Sequence, residues 1–258
     1  MAATVKVRLI SLVVVFALWW LGSLLAGDLI LPSPVTVVGR FTDLIADGAL
    51  GRALRIGLTS LAVGGGAAIV VGVPLGILLG VHRTLGRAFD FYFSALYVTP
   101  FSAVAPLFVL WFGFDSGTRM IFIFFFTLPQ IVIVCYQGAR ATPEGLIDVA
   151  RSYQARPRDI FVKTILPYEV PFIFTALRLG VGRAVQGMVV AELLISAAQG
   201  LGFLITAYSA ALDIGAVLAV VLFIMFLGVL ASMLVQRIED AVAPWHSEVT
   251  TTGEPSGG

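Results

Sequence analysis

The sequence predicts an all-α polytopic membrane protein: six transmembrane helices, both termini inside the cell, and a helix-turn-helix between the fourth and fifth crossings. Three observations predict it. Of the 258 residues, 59% are hydrophobic and only 12% are charged, and the mean hydropathy of +1.01 lies far from the balance of a water-soluble domain. Apolar windows of the ~20 residues that cross ~30 Å of hydrocarbon as a helix recur at 9–27, 58–81, 91–112, 118–139, 172–195 and 214–236. The segments between these windows put Lys6, Arg8, Arg83, Arg87, Arg140, Arg151, Arg156, Arg158, Lys163 and Arg237 on one face. Only Arg40, Arg52, Arg55 and Arg119 fall on the other. By the positive-inside rule the richer face is cytoplasmic, and both termini share it. A net charge of +1 carries no excess that would draw the whole molecule to nucleic acid or an acidic partner.

The first window follows Lys6 and Arg8, as a secretory leader would, but it is long for one. It runs on into Asp28 and the Leu31-Pro-Ser-Pro34 turn rather than a small-x-small cleavage site, so a retained helix is expected. Beyond it, Val37, Val38, Phe41, Leu44, Ile45 and Leu50 have the spacing of a short amphipathic helix along the outer surface. The second window carries Ala68, Gly72, Gly76 and Gly80 at four-residue intervals. This stripe lets another backbone approach closely, and the same glycines also suit a hinge. Pro74, Pro100, Pro106 and Pro129 fall within windows, where neighbouring helices can satisfy the carbonyls they free. Cys135, the single cysteine, lies in an apolar run and reads as packing.

Between the fourth and fifth windows, residues 142–168 form the one sizeable polar stretch on the cytoplasmic side. Thr142 is placed to cap a helix with Pro143 at its first position and Glu144 and Asp148 in its early turns, running to about Ala155. Pro157 then opens a second helix, whose Ile160, Phe161, Ile165 and Leu166 make an apolar stripe before Pro167 and Pro171 close the segment.

The run Asp148-Val-Ala-Arg-Ser-Tyr-Gln154, ending Ile165-Leu-Pro167, resembles the EAA loop of binding-protein-dependent ABC importer permeases of the MetI-like type. That loop opens Glu-Ala-Ala and places a glycine four residues after the second alanine, where this chain has Gln154. The likeness continues through Leu31-Pro-Ser-Pro34, Gly72-Val-Pro-Leu-Gly76, Ala176-Leu-Arg-Leu-Gly180, Val190-Ala-Glu192 and Gly200-Leu-Gly202, and it points to the nitrate, sulfonate and taurine branch. Membership would imply a permease subunit in the bacterial cytoplasmic membrane with no cofactor of its own. Its partners would be two copies of an ABC ATPase that binds the ATP, an extracytoplasmic solute-binding protein and a second permease copy. Residues 148–159 would be the coupling helix, with Asp148, Ala150, Arg151, Gln154, Arg158, Asp159, Leu166 and Pro167 meeting the ATPase. The rival physical reading, a basic loop held near anionic lipid by Arg151, Arg156, Arg158 and Lys163, explains the charge but neither the caps nor the stripe.

The fifth window holds Arg178, Arg183, Gln186 and Glu192, and a charge there costs at least ~2.5–3.5 kcal/mol near a helix centre. Arg178 and Glu192 lie about 21 Å apart along one helix, so any ion-pair partner belongs to another element. Two readings stand: the four line a solute pathway, with Arg183 and Gln186 receiving an anion, or Arg178 snorkels to the interface while Arg183 serves backbone carbonyls. There is no nucleophile elbow, zinc-binding His pair or phosphate-loop lysine to support an intramembrane enzyme, and His82 and His246 have no metal or triad context. A passive channel would leave the cytoplasmic segment unexplained. Residues 1–246 are therefore read as one transmembrane domain and 247–258 as a disordered tail. The solute, with a sulfonate, taurine or nitrate favoured and a pyrimidine or thiamine precursor as alternative, lies beyond the sequence.

Overall fold

The structure, a computed structural model, describes residues 2–195 and 200–242; the expected tail at 247–258 and His246 lie outside them. Ten helices are described: α1 (Ala2–Ala26), α2 (Pro34–Ala46), α3 (Ala49–Val81), α4 (Arg83–Val98), α5 (Phe101–Phe112), α6 (Ser116–Ala141), α7 (Glu144–Ser152), α8 (Pro157–Leu194), α9 (Leu201–Ala210) and α10 (Ile214–Val242). No strand occurs among the described residues. Four helices, α3, α6, α8 and α10, are long and apolar enough to cross a membrane, and α1 is apolar over Ile10–Ala26.

The window expected at 91–112 is not one continuous helix. It falls across α4 and α5, which meet at 95° with Thr99 and Pro100 between them. Counted as one crossing, this pair brings the total to five. Pro100 cannot donate to the preceding turn, and Thr99 turns its hydroxyl back onto Ala95 O at 2.8 Å. By contrast, helix runs on through Pro74, Pro106 and Pro129.

The core is a seam of α3 against α6, with α8 packed against both. A Cβ on Gly76 would lie 2.7 Å from both Cys135 Cβ and Val132 O, and one on Gly80 would lie 2.6 Å from Ala139 Cβ. The glycine stripe is thus a close helix contact, within a single 33-residue helix. On the α8 side, Gly180 abuts Ile131 and Gly187 abuts Phe126. Two apolar clusters result, one around Phe101, Phe108, Phe122, Phe126 and Met188 and the other around Ile77, Ile131, Val132, Cys135 and Ala176. On the outer side, the expected amphipathic helix is α2, opened by Pro34 in its first turn with the Ser33 hydroxyl accepting from Thr36 N, but it stops at Ala46 and Leu50 belongs to α3.

Candidate functional site

The cytoplasmic hairpin differs from its expected outline in three ways. Thr142 does not cap α7; it ends α6, its hydroxyl is buried without a partner, and Pro143 occupies the cap position. Extended backbone at the residue before a proline explains this, because the helical region is disfavoured there. Next, α7 stops at Ser152 rather than near Ala155. Finally, Pro167 and Pro171 do not close the second helix, which continues as α8 into the membrane. A π-turn at Phe161–Ile165, with Leu166 N bonded to Phe161 O, widens the helix just ahead of Pro167. That relieves the clash its ring would make with the carbonyl four residues back.

The turn after α7 has a specific form. Ala155 N bonds to Ala150 O at 3.1 Å and Gln154 N to Arg151 O at 2.8 Å, while Gln154 takes φ +56°. This is a Schellman close with glutamine at the left-handed position that usually belongs to glycine. The backbone geometry expected of the glycine is therefore present without it. Around the turn, Arg151 pairs with Asp148 at 3.2 Å and Lys163 with Asp159 at 3.0 Å. Arg158 is exposed, as is Pro167, whereas Ala150 and Leu166 are half-buried.

The stripe read from sequence, Ile160, Phe161, Ile165 and Leu166, faces inward: Ile165 is buried, and Phe161 and Leu166 pack on the inner cluster. The outward apolar row was not anticipated. It consists of Leu146, Val149 and Tyr153, exposed by 48%, 57% and 83%. Their i, i+3, i+7 spacing on a short polar helix was the signal that could have found them. Behind α7 lies a cavity of about 750 Å³ lined by Arg140, Thr142, Glu144, Ile147 and Phe161 among others.

The four charged or polar residues of α8 do not converge. Arg178 is ion-paired with Glu239 of α10, which supplies the partner expected from another element. Arg178 and Gln186 line a groove of about 650 Å³ between α8 and α10. Arg183 turns toward α4 and α6 instead, with its guanidinium 4.2 Å from the Phe126 ring centre and 5.6 Å from that of Tyr97, a cation held on aromatic faces. Glu192 is buried on the outer side and accepts from Gly202 N at 2.9 Å. Among the described residues no cluster of His, Cys, Asp and Glu could hold a metal ion.

A family model for binding-protein-dependent transport system inner membrane components matches residues 72–244. The chain is 31% identical over 236 residues to a putative aliphatic sulfonates transport permease of Bacillus subtilis, covering 91% of this chain and 85% of the relative. It is 28% identical over 246 residues to the taurine transport system permease of Escherichia coli, covering 93% and 89%. Its fold is similar to that of a methionine ABC transporter chain solved in inward-facing conformations, with a TM-score of 0.67 at 22% identity over 75% of this chain and 96% of that one.

Proposed function

We propose, from the premise that the chain belongs to the binding-protein-dependent transport system inner membrane components, an ABC importer permease and not an enzyme, that it carries a small anion across the cytoplasmic membrane by alternating access. Two copies form the pathway, a separate pair of ATPase subunits binds ATP, and a solute-binding protein delivers the solute from outside. The domain is read as residues 1–246.

The observation that carries this reading is the projecting helix α7. Its Leu146, Val149 and Tyr153 present an apolar row to the cytoplasm, flanked by Asp148, Arg151 and Arg158. An apolar row rimmed by charge is what fits a groove on another protein. Through the close at Gln154, α7 is only a few residues from α8, so movement at the docking site passes directly to a transmembrane helix. Of the residues expected to meet the ATPase, Asp148, Arg151, Gln154, Arg158 and Pro167 are exposed and so are available for contact. Leu166 and Ala150 serve instead to seat the hairpin.

An anionic solute is favoured by Arg183. Its Nε is buried without a hydrogen-bond partner, and it sits beside Tyr97, just before the break at Thr99 and Pro100. Irregular backbone at membrane depth is tolerated where it lines a cavity or is covered by protein. The relatives named for aliphatic sulfonates and taurine support the same class, with nitrate as a further member and a pyrimidine or thiamine precursor as the second reading.

The test is a gentle detergent purification of the tagged permease from its native membrane, scoring co-purified ATPase for the wild type, Val149→Asp and Arg158→Glu. Retention of an ATPase by the wild type and its loss with Val149→Asp is expected. Absence of any ATPase from the wild-type sample sinks the reading.

A further inference from the structure

Glu192, one of the four residues read as possible pathway lining, is 2% exposed and sits about 21 Å along the helix from Arg178, among Gly57, Gly200 and Gly202. Its surroundings are built to admit a carboxyl group. Oε2 accepts from Gly202 N at 2.9 Å, at the first turn of α9. A Cβ on Gly200 would sit 2.4 Å from Glu192 Cδ, and one on Gly202 would sit 2.8 Å from Glu192 Cβ. From α3, a Cβ on Gly57 would lie 3.0 Å from Oε1. Gly200 also takes φ +107°, a conformation that side chains disfavour. The other Glu192 oxygen, Oε1, is buried without a hydrogen-bond partner.

A buried carboxyl is expensive unless its bonds are made, and an apolar residue would fill this space without that expense. The acid therefore does something that packing alone does not. What it holds is α9, ten residues long and so about 15 Å, too short to cross the bilayer and placed on the outer side between α8 and α10. Leu201 and Leu204 of this helix pack on the outer cluster.

We propose that Glu192 is a positioning residue for the outer closure of the pathway: its carboxylate clasps the start of α9, and release of that bond lets α9 swing from the outer cluster. The Val190-Ala-Glu192 and Gly200-Leu-Gly202 segments then form one device, the first supplying the hook and the second the glycines that let it seat. This rests on the transport reading above, but the bond itself is testable without it.

The experiment uses the permease co-expressed with its native partners in a Cys135→Ala background, since the native thiol is the only cysteine. Leu204→Cys, half-buried on α9, is labelled from outside with a membrane-impermeant maleimide, with and without a non-hydrolysable ATP analogue. With Glu192 intact, labelling is expected to be slow without nucleotide and faster with it. Glu192→Ala is expected to label about tenfold faster without nucleotide, as loss of one buried hydrogen bond implies. Glu192→Gln keeps an oxygen acceptor at the same reach and is expected to restore slow labelling. Glu192→Asp, one methylene short, is expected to resemble Glu192→Ala and serves if that variant is poorly recovered. Slow labelling of both Ala and Asp variants overturns the proposal, as does fast labelling of the Gln variant. A missing ATPase would remove the nucleotide response alone, leaving the comparison of variants to decide the clasp.

Discussion

Helices α6 and α4 are comparably rich in aromatic residues, but they meet opposite fates. Along α6, Phe122, Ile123, Ile131, Val132 and Cys135 are almost wholly inaccessible, closed in by α3 and α8. Along α4, only Gly86 is buried among the described residues, while Phe89, Phe91, Tyr92 and Tyr97 stand open. In water such a face would be a liability, but in a bilayer it needs only lipid or another protein against it. The two helices therefore separate what this chain completes for itself from what its environment must complete. Burial on α6 is decided by glycines that let backbones touch, whereas α4 offers bulk without a matching groove in its own chain.

The sharpest way to break this contrast is to crowd the seam and the open face in turn. Gly76→Leu, aimed at Cys135 and Val132 O, is expected to destabilise the detergent-solubilised protein by about 3 kcal/mol, read from its unfolding midpoint. Tyr92→Leu on the open face is expected to move that midpoint by no more than about 0.5 kcal/mol. Equal losses would show that α4 is as enclosed as α6. Arg183 touches both sides through Phe126 and Tyr97. Its replacement by Gln is expected to lower uptake of the native solute at least about tenfold, the worth of one charge-assisted contact, while the amount in the membrane holds. Unchanged uptake would remove Arg183 from the pathway.

Smaller effects sharpen the same comparison at the edges of the folded core. Gln154→Gly relieves a left-handed backbone at an exposed turn. It is expected to raise local stability by about 1 kcal/mol, seen as slower hydrogen exchange at the Ala155 amide. At the start of α6, the backbone and side chain of Thr118 donate to Asp115 and hold its carboxyl below the ordinary 3.8. A depressed folded value means that this contribution is present above the unfolded value and is lost as pH falls through the folded one. Asp115→Ala is thus expected to lower the unfolding temperature at neutral pH, with a gap to the wild type that narrows under acid.

Much of this architecture was legible because hydrocarbon thickness fixes helix length, so five of the six windows coincide with helices. The window at 91–112 is broken in two for a physical reason. Pro74, Pro106 and Pro129 sit in equally apolar surroundings and leave their helices intact, so proline marks where a break is affordable and tertiary packing decides whether it happens. At the hairpin, the resemblance located the turn at Gln154, and the backbone adopts it. The outward row Leu146, Val149 and Tyr153 was missed because Ile160, Phe161, Ile165 and Leu166 offered a longer apolar pattern, and periodicity does not say which stripe faces its own core. The enclosure of Glu192 was not legible because a charge within a span says only that it avoids lipid, and the glycines that surround it, Gly57, Gly200 and Gly202, come together only in the fold.

The 38 residues of α8 form a continuous helix from Pro157 to Leu194, about 57 Å from end to end at 1.5 Å per residue. Mechanically it is a lever, with its long arm, about 35 Å, reaching the α7 knuckle and a short arm of about 10 Å beyond the fulcrum where Gly180 and Gly187 bear on α6. A tilt of roughly 5° about that fulcrum moves the cytoplasmic end by about 3 Å and the outer end by about 1 Å in the opposite direction. A large swing at the cytoplasmic end therefore reaches the opposite face of the membrane geared down to a small, reversed displacement, without any part of the shaft having to unfold.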